Sequence, residues 1–147
     1  SEPTMSSVFT MIIEGELPGR FVWRDDVAVA FLSINPLAHG HVLVVPRMEV
    51  DHWLDLDPVT WQHVSEVTRI VGQGIQRAFA PPRVGTIVAG FEVPHVHVHV
   101  LPTSDITDFD FARADVSPDP AALDAAAASI RAALDELGHG AHVPAPA

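Results

Sequence analysis

His95-Val96-His97-Val98-His99-Val100-Leu101 is the stretch on which the reading of this chain turns. Three imidazoles alternate with apolar residues, which is the period of a β-strand, where successive side chains point to opposite faces. The histidines therefore share one face, and the valines on the other can pack on a core. Alternate side chains along a strand stand about 7 Å apart. The rings form a strip of donors and acceptors that suits an anionic phosphate near neutral pH. One ring can attack phosphorus while its neighbours hold oxygens or pass a proton. Two other readings stand beside this one. Alternating histidines can be a plain polar strand face. Two same-face histidines, completed by His41, Glu92 or Asp105, can also bind zinc.

Outward from the strip, Val84 to Ala89 reads as a fourth strand, and His95 to Leu101 as a fifth that Pro102 ends. Asp57-Pro58 is a helix start, with Asp as N-cap and Pro at the first helical position. Val64, Val67, Val71, Ile75, Ala78 and Phe79 recur at helical steps, so a long amphipathic helix runs on to Pro81-Pro82, weakened locally by Gly72 and Gly74. Further upstream, Ser6 or Ser7 caps a short helix carrying Val8, Phe9, Ile12 and Ile13. Phe21 to Trp23 and Val27 to Leu32 form a hairpin around Asp25-Asp26, and His41 to Val45 is a third strand that Pro46 stops. Downstream, Thr103 to Ser117 is polar and acidic and predicts an exposed loop. Asp119-Pro120 opens another helix, with Leu123, Ala127, Ile130, Leu134 and Leu137 on one face and a stop at Gly138. The order predicts one α+β domain over residues 6–138, built on a five-stranded antiparallel sheet with a long helix and a C-terminal helix. Residues 1–5 read as a flexible leader and 139–147 as a flexible tail.

Composition narrows the functions. The 147 residues contain no Cys, which removes disulfides, thiolate metal sites and Cys nucleophiles. Net charge is −11 and all eight cations are Arg, which removes lysine Schiff-base chemistry and any basic run that could track nucleic acid. No segment approaches the apolar length of a membrane span. A cytoplasmic protein acting on a small ligand is the expectation.

The strip, with its three alternating histidines and two following apolar residues, resembles the signature of the histidine triad family. The resemblance continues upstream. Val8-Phe9-Thr10-Met11-Ile12-Ile13-Glu14-Gly15-Glu16-Leu17-Pro18 is similar to the family's opening helix, and Asp25-Asp26 with Val29-Ala30-Phe31 to its first hairpin. Ile34-Asn35-Pro36 and Gly40-His41-Val42-Leu43-Val44-Val45-Pro46-Arg47 are similar to its third-strand region. The appended C-terminal helix resembles the bacterial, Hint-like branch. The resemblance implies a homodimer whose two sheets join edge to edge with the long helix at the interface. It implies that His97 attacks the α-phosphorus of a nucleotide, that His95 and His99 bind phosphate oxygens, and that His41 supports them, without a cofactor or metal. It implies a nucleoside pocket of Val8, Phe9, Ile12, Phe31, Ile34 and Leu43, with Val93 supplying a backbone donor.

Three positions depart from the family pattern. Ser33 stands where Asp or Asn commonly binds the ribose, Phe91 where Gln commonly contacts a bridging phosphate, and Glu92 where some members place Ser or Thr near the leaving group. These departures point away from dinucleoside polyphosphates and toward a phosphoramidate or acyl-nucleotide. They also motivate a second expectation, a nucleotide-binding module with little catalysis.

Overall fold

The computed structural model describes residues 6–146; the leader expected at residues 1–5 lies outside them. The elements run α1 (Val8–Ile13), β1 (Phe21–Arg24), β2 (Ala28–Leu32), β3 (Val42–Pro46), α2 (Pro58–Phe79), β4 (Arg83–Ile87), β5 (Val98–Thr103) and α3 (Pro120–Leu134). The five strands form one antiparallel sheet in the order β1-β2-β3-β5-β4, as the α+β reading predicts. No helix among the described residues is long and apolar enough to cross a membrane.

The sheet has two different faces because strand residues alternate. Ala28, Ala30, Leu32, Val42, Val44, Val98 and Val100 point to one side and are buried against Val64, Val67, Val71 and Ile75 of α2 and Ile130 and Leu134 of α3. Val29, Phe31, Leu43 and Val45 point to the other side, where Phe9 of α1 covers them. The histidines belong to this second side.

Helix α2 starts as predicted, with the Asp57 carboxylate accepting from Thr60 N–H and Pro58 in the first turn. It ends at Ala80, whose φ of 47° is left-handed, and Pro81 cannot continue it. Gly74 is the point where α3 crosses: a Cβ there would lie 2.8 Å from Leu134 Cδ2. The residue read as a weakness of the helix is therefore what lets the two helices approach. In the β1–β2 hairpin, Asp25 accepts from Val27 and Ala28 N–H, the Trp23 indole and His63 Nε2. Burial raises its pKa, but these donors overcome that and hold the carboxyl at about 2. His63, from α2, is thus a partner of the turn.

Several boundaries differ from the sequence expectation. β5 begins at Val98 rather than His95. The β3–β5 register pairs Val42 with Val100 and Val44 with Val98, so its next step would set Val96 against Pro46. Proline has no N–H to donate, and the ladder stops. Val96 N–H goes instead to Val50 O. β5 then runs through Pro102 to Thr103, because beyond Val100 it pairs with β4 alone. β4 is Arg83–Ile87 rather than Val84 to Ala89, β2 starts at Ala28 and β3 at Val42. The stretch read as an exposed loop after β5 contains two 3-10 turns, Ile106–Phe109 and Phe111–Arg113. α3 ends at Leu134, and the chain then turns through Gly138 so that His139 and His142 lie over Trp23, with ring centroids 5.8 and 4.8 Å away.

Candidate functional site

The broken ladder shapes the site. His95 and His97 sit on irregular backbone entering β5, and His99 lies within the strand. All three rings, with His41, are buried: 0, 3, 5 and 1% exposed. Burial of four imidazoles demands partners, and the partners fix which nitrogen of each ring carries the proton.

A carbonyl or a backbone N–H has only one role, so each tautomer follows from the bonding. His97 Nδ1 lies 2.7 Å from the His95 carbonyl, so Nδ1 donates and Nε2 keeps its lone pair. His95 Nε2 donates to the Pro46 carbonyl at 2.7 Å, which leaves Nδ1 to accept from the Ser7 hydroxyl at 2.7 Å. His41 Nδ1 accepts from Leu37 N–H at 3.0 Å, so its Nε2 donates to His99 Nδ1 at 2.9 Å. His99 then carries its proton on Nε2. Among the described residues neither His97 Nε2 nor His99 Nε2 has a partner, yet no buried side-chain nitrogen or oxygen there lacks one. These two atoms are therefore the solvent-facing tips of otherwise buried rings. One is a bare lone pair and the other an N–H donor.

Burial, reinforced by the neighbouring His97, lowers the His41 pKa to about 4. Burial, with His41 and His97 beside it, lowers that of His99 to about 3. Burial also lowers His95, against the opposing pull of the Pro46 carbonyl. Burial thus favours the neutral ring at His41, His95 and His99, the form in which their tautomers are read.

A second shell that the sequence reading missed holds His95. The Ser7 N–H and the Thr10 hydroxyl both donate to Glu49 Oε1, at 2.6 and 2.7 Å. Thr10 N–H donates to Ser7 Oγ, so the cap of α1 is also the clamp on His95. The N-cap pattern of Ser7 was legible, but nothing in one sequence ties it to a residue 88 positions away.

Of the proposed nucleoside pocket, Phe9, Phe31 and Leu43 are buried together, with Ile12 and Val93 packed against them. Phe9 meets Phe31 edge-on at 5.6 Å and His97 edge-on at 4.9 Å, which links the apolar cluster to the strip. Ser33 is buried, and its Oγ accepts from Asn35 N–H. Ile34 is 67% exposed and Val8 40%, so both stand outside the cluster. Phe91 is 96% exposed, and Glu92 beside it is also exposed. A cavity of about 360 Å³ opens next to Ile12, Ile13 and Phe21 but is lined by none of the histidines. Among the described residues no group of three or more His, Asp or Glu side chains is arranged to hold a metal ion.

An antiparallel α+β sheet that presents a buried, tautomer-locked row of imidazoles defines the class. The chain belongs to the HIT family: the HIT domain model matches residues 14–106. It is 34% identical over 113 residues to an uncharacterised HIT-like protein of Borreliella burgdorferi, covering 72% of this chain and 81% of that one. It is 35% identical over 85 residues to the asymmetrical bis(5'-nucleosyl)-tetraphosphatase of Schizosaccharomyces pombe, covering 54% of this chain and 47% of that enzyme. Its fold is similar to that of a hypothetical histidine triad nucleotide-binding protein from Sulfolobus tokodaii, with a TM-score of 0.79, 27% identity, and coverage of 88% of this chain and 92% of that one. Relatives in this family thus include named nucleotide hydrolases.

Proposed function

We propose that the protein is a nucleotide-phosphate hydrolase or transferase in which His97 is the nucleophile. The observation that carries this is the pair of solvent-facing ring tips, a lone pair on His97 Nε2 beside an N–H on His99 Nε2. The lone pair forms an N–P bond to the α-phosphorus while the bond to the leaving group breaks. The departing group keeps that electron pair and takes up a proton. The Nδ1–H bond to the His95 carbonyl stabilises the positive ring that results. Water then attacks phosphorus, the P–N bond breaks and a nucleoside monophosphate leaves. The water's lost proton balances the one taken by the leaving group. His99 donates to a non-bridging oxygen, and Phe9, Phe31, Leu43 and Ile12 pack the base.

The exposed apolar Phe91 and the short Ser33 side chain favour a small leaving group over a second nucleotide. The same reading makes the protein a cytoplasmic homodimer whose two sheets join edge to edge, with β4 an edge strand that could make the join. The test is a comparison of substrates. An adenosine phosphoramidate or acyl-adenylate is expected to be hydrolysed with kcat/KM well above that for a diadenosine polyphosphate. Nucleotide affinity without turnover of any of them would replace the enzyme with the binding module that Ser33 and Phe91 also motivate.

A further inference from the structure

Between Ser104 and Asp115 the chain is strongly acidic, yet its aspartates are engaged in shaping backbone. Asp105 and Asp108 cap each other's turn, accepting from Thr107, Ser104 and Asp105 N–H. Asp110 accepts from Ala112 N–H, and Arg113 Nη1 donates to the Thr107 carbonyl at 2.9 Å. Asp115 N–H then donates to Pro36 O, one residue before the Leu37 N–H that holds His41. Two aromatic anchors fix the segment between these ends. Phe109 lies over Gly85 of β4 so closely that a Cβ there would fall 2.2 Å from its ring. Phe111 sits edge-on against His99, with centroids 5.0 Å apart. The segment therefore spans from β4 to the loop before β3, across the end of the His41–His99 pair.

The ring of His99 is bounded by His41, His97 and Phe111. A hydrogen bond tolerates tens of degrees of misalignment, so the one to His41 holds Nδ1 without by itself fixing the tilt of the ring. Phe111 packs edge-on against the ring and limits that tilt. We propose that Phe111 is a positioning residue, which fixes the plane of His99 and so the direction of its free Nε2–H. The titratable groups facing His99 are His41, from the loop before β3, and His97, from the approach to β5. From the segment itself, Asp110 and Arg113 are turned to their own backbone partners.

The kinetic part rests on the function proposed above; the spectroscopic part does not. The experiment follows histidine side-chain 15N–1H correlations against pH in the full chain, for wild type, Phe111→Ala and Phe111→Leu, together with hydrolysis of an adenosine phosphoramidate. In wild type, His99 stays a neutral Nε2–H ring to well below its ordinary 6.5. In Phe111→Ala its midpoint rises toward that value, while the tautomer, held by the hydrogen bond to His41, stays. kcat falls on the order of tenfold to a hundredfold through misplacement of the donor, while KM moves less than about twofold. Phe111→Leu, which keeps an apolar wall, restores most of both. If Phe111→Ala does not fold, Phe111→Val, which shortens the side chain, takes its place, with a smaller shift in the same direction expected. A folded Phe111→Ala or Phe111→Val with the His99 titration of wild type overturns the proposal. If wild type turns over no nucleotide, the mechanism above fails, and the His99 spectra alone still decide the role of Phe111.

Discussion

His97→Ala is expected to give a folded protein that binds nucleotide and no longer turns it over. The loss expected for removing a covalent nucleophile is on the order of 10⁴-fold or more in kcat. The structure says why folding survives. Among the described residues the ring's only hydrogen bond is to the carbonyl of His95, two residues away, so its removal breaks no hydrogen bond to a distant segment and loosens only the packing of Phe9. Losing that bond costs about 1 kcal/mol. Phe31 and Leu43, proposed to pack the base, belong to β2 and β3 and keep their places. Thermal unfolding and nucleotide titration of the variant, run beside the turnover assay, separate the two effects. His95 is different in kind. It ties Ser7 at the start of α1 to Pro46 at the end of β3, so its removal disturbs structure and chemistry together. Turnover by His97→Ala within tenfold of wild type would remove His97 from the mechanism.

The second large effect is a loss of stability on mild acidification. His41 and His99 are neutral in the fold, with pKa values of about 4 and about 3, and both titrate near 6.5 once exposed. Below pH 6.5 the unfolded chain therefore binds more protons than the native one, and stability falls as pH falls. The contribution is fully present above 6.5 and is lost progressively down to the folded values. For His41 alone the loss by pH 5 is about 2 kcal/mol, enough to lower Tm by several degrees in a domain of this size. The carboxylate of Asp25, with its pKa of about 2, acts in a separate window, below its ordinary 3.8. A fall in Tm between pH 7 and pH 5 therefore reports the histidines. Replacing His41 with Asn should flatten the fall, and a wild-type Tm constant over that range would contradict the burial of a neutral pair.

Much of this site was legible in the sequence because its elements announce themselves locally. Asp57-Pro58 and Asp119-Pro120 mark helix starts, and the alternation of His and Val separates a core face from a site face whether or not the ladder is complete. The break in β5 was not legible. It depends on Pro46 arriving opposite Val96, and register between strands so distant in sequence is a tertiary fact. The same holds for Ser7 on His95, Leu37 on His41 and Phe111 on His99. Each is a contact between segments whose own sequences show a cap, a loop and an acidic stretch. Gly74 shows the opposite error, since helix propensity reads as a defect what packing uses as a crossing point.

The two ring tips make a claim about one atom. His97 Nε2 holds a lone pair because its other nitrogen is bound to a carbonyl, so that atom should bear the nucleotide during turnover. Rapid acid-free quenching of the wild-type protein with an adenosine phosphoramidate, followed by peptide mapping in a mass spectrometer, locates any covalent adduct. An adenylyl group on the peptide containing the histidine strip, fragmenting to His97, is the predicted result. An adduct on His95, His99 or His41, or rapid turnover with no adduct at any time point, would contradict it.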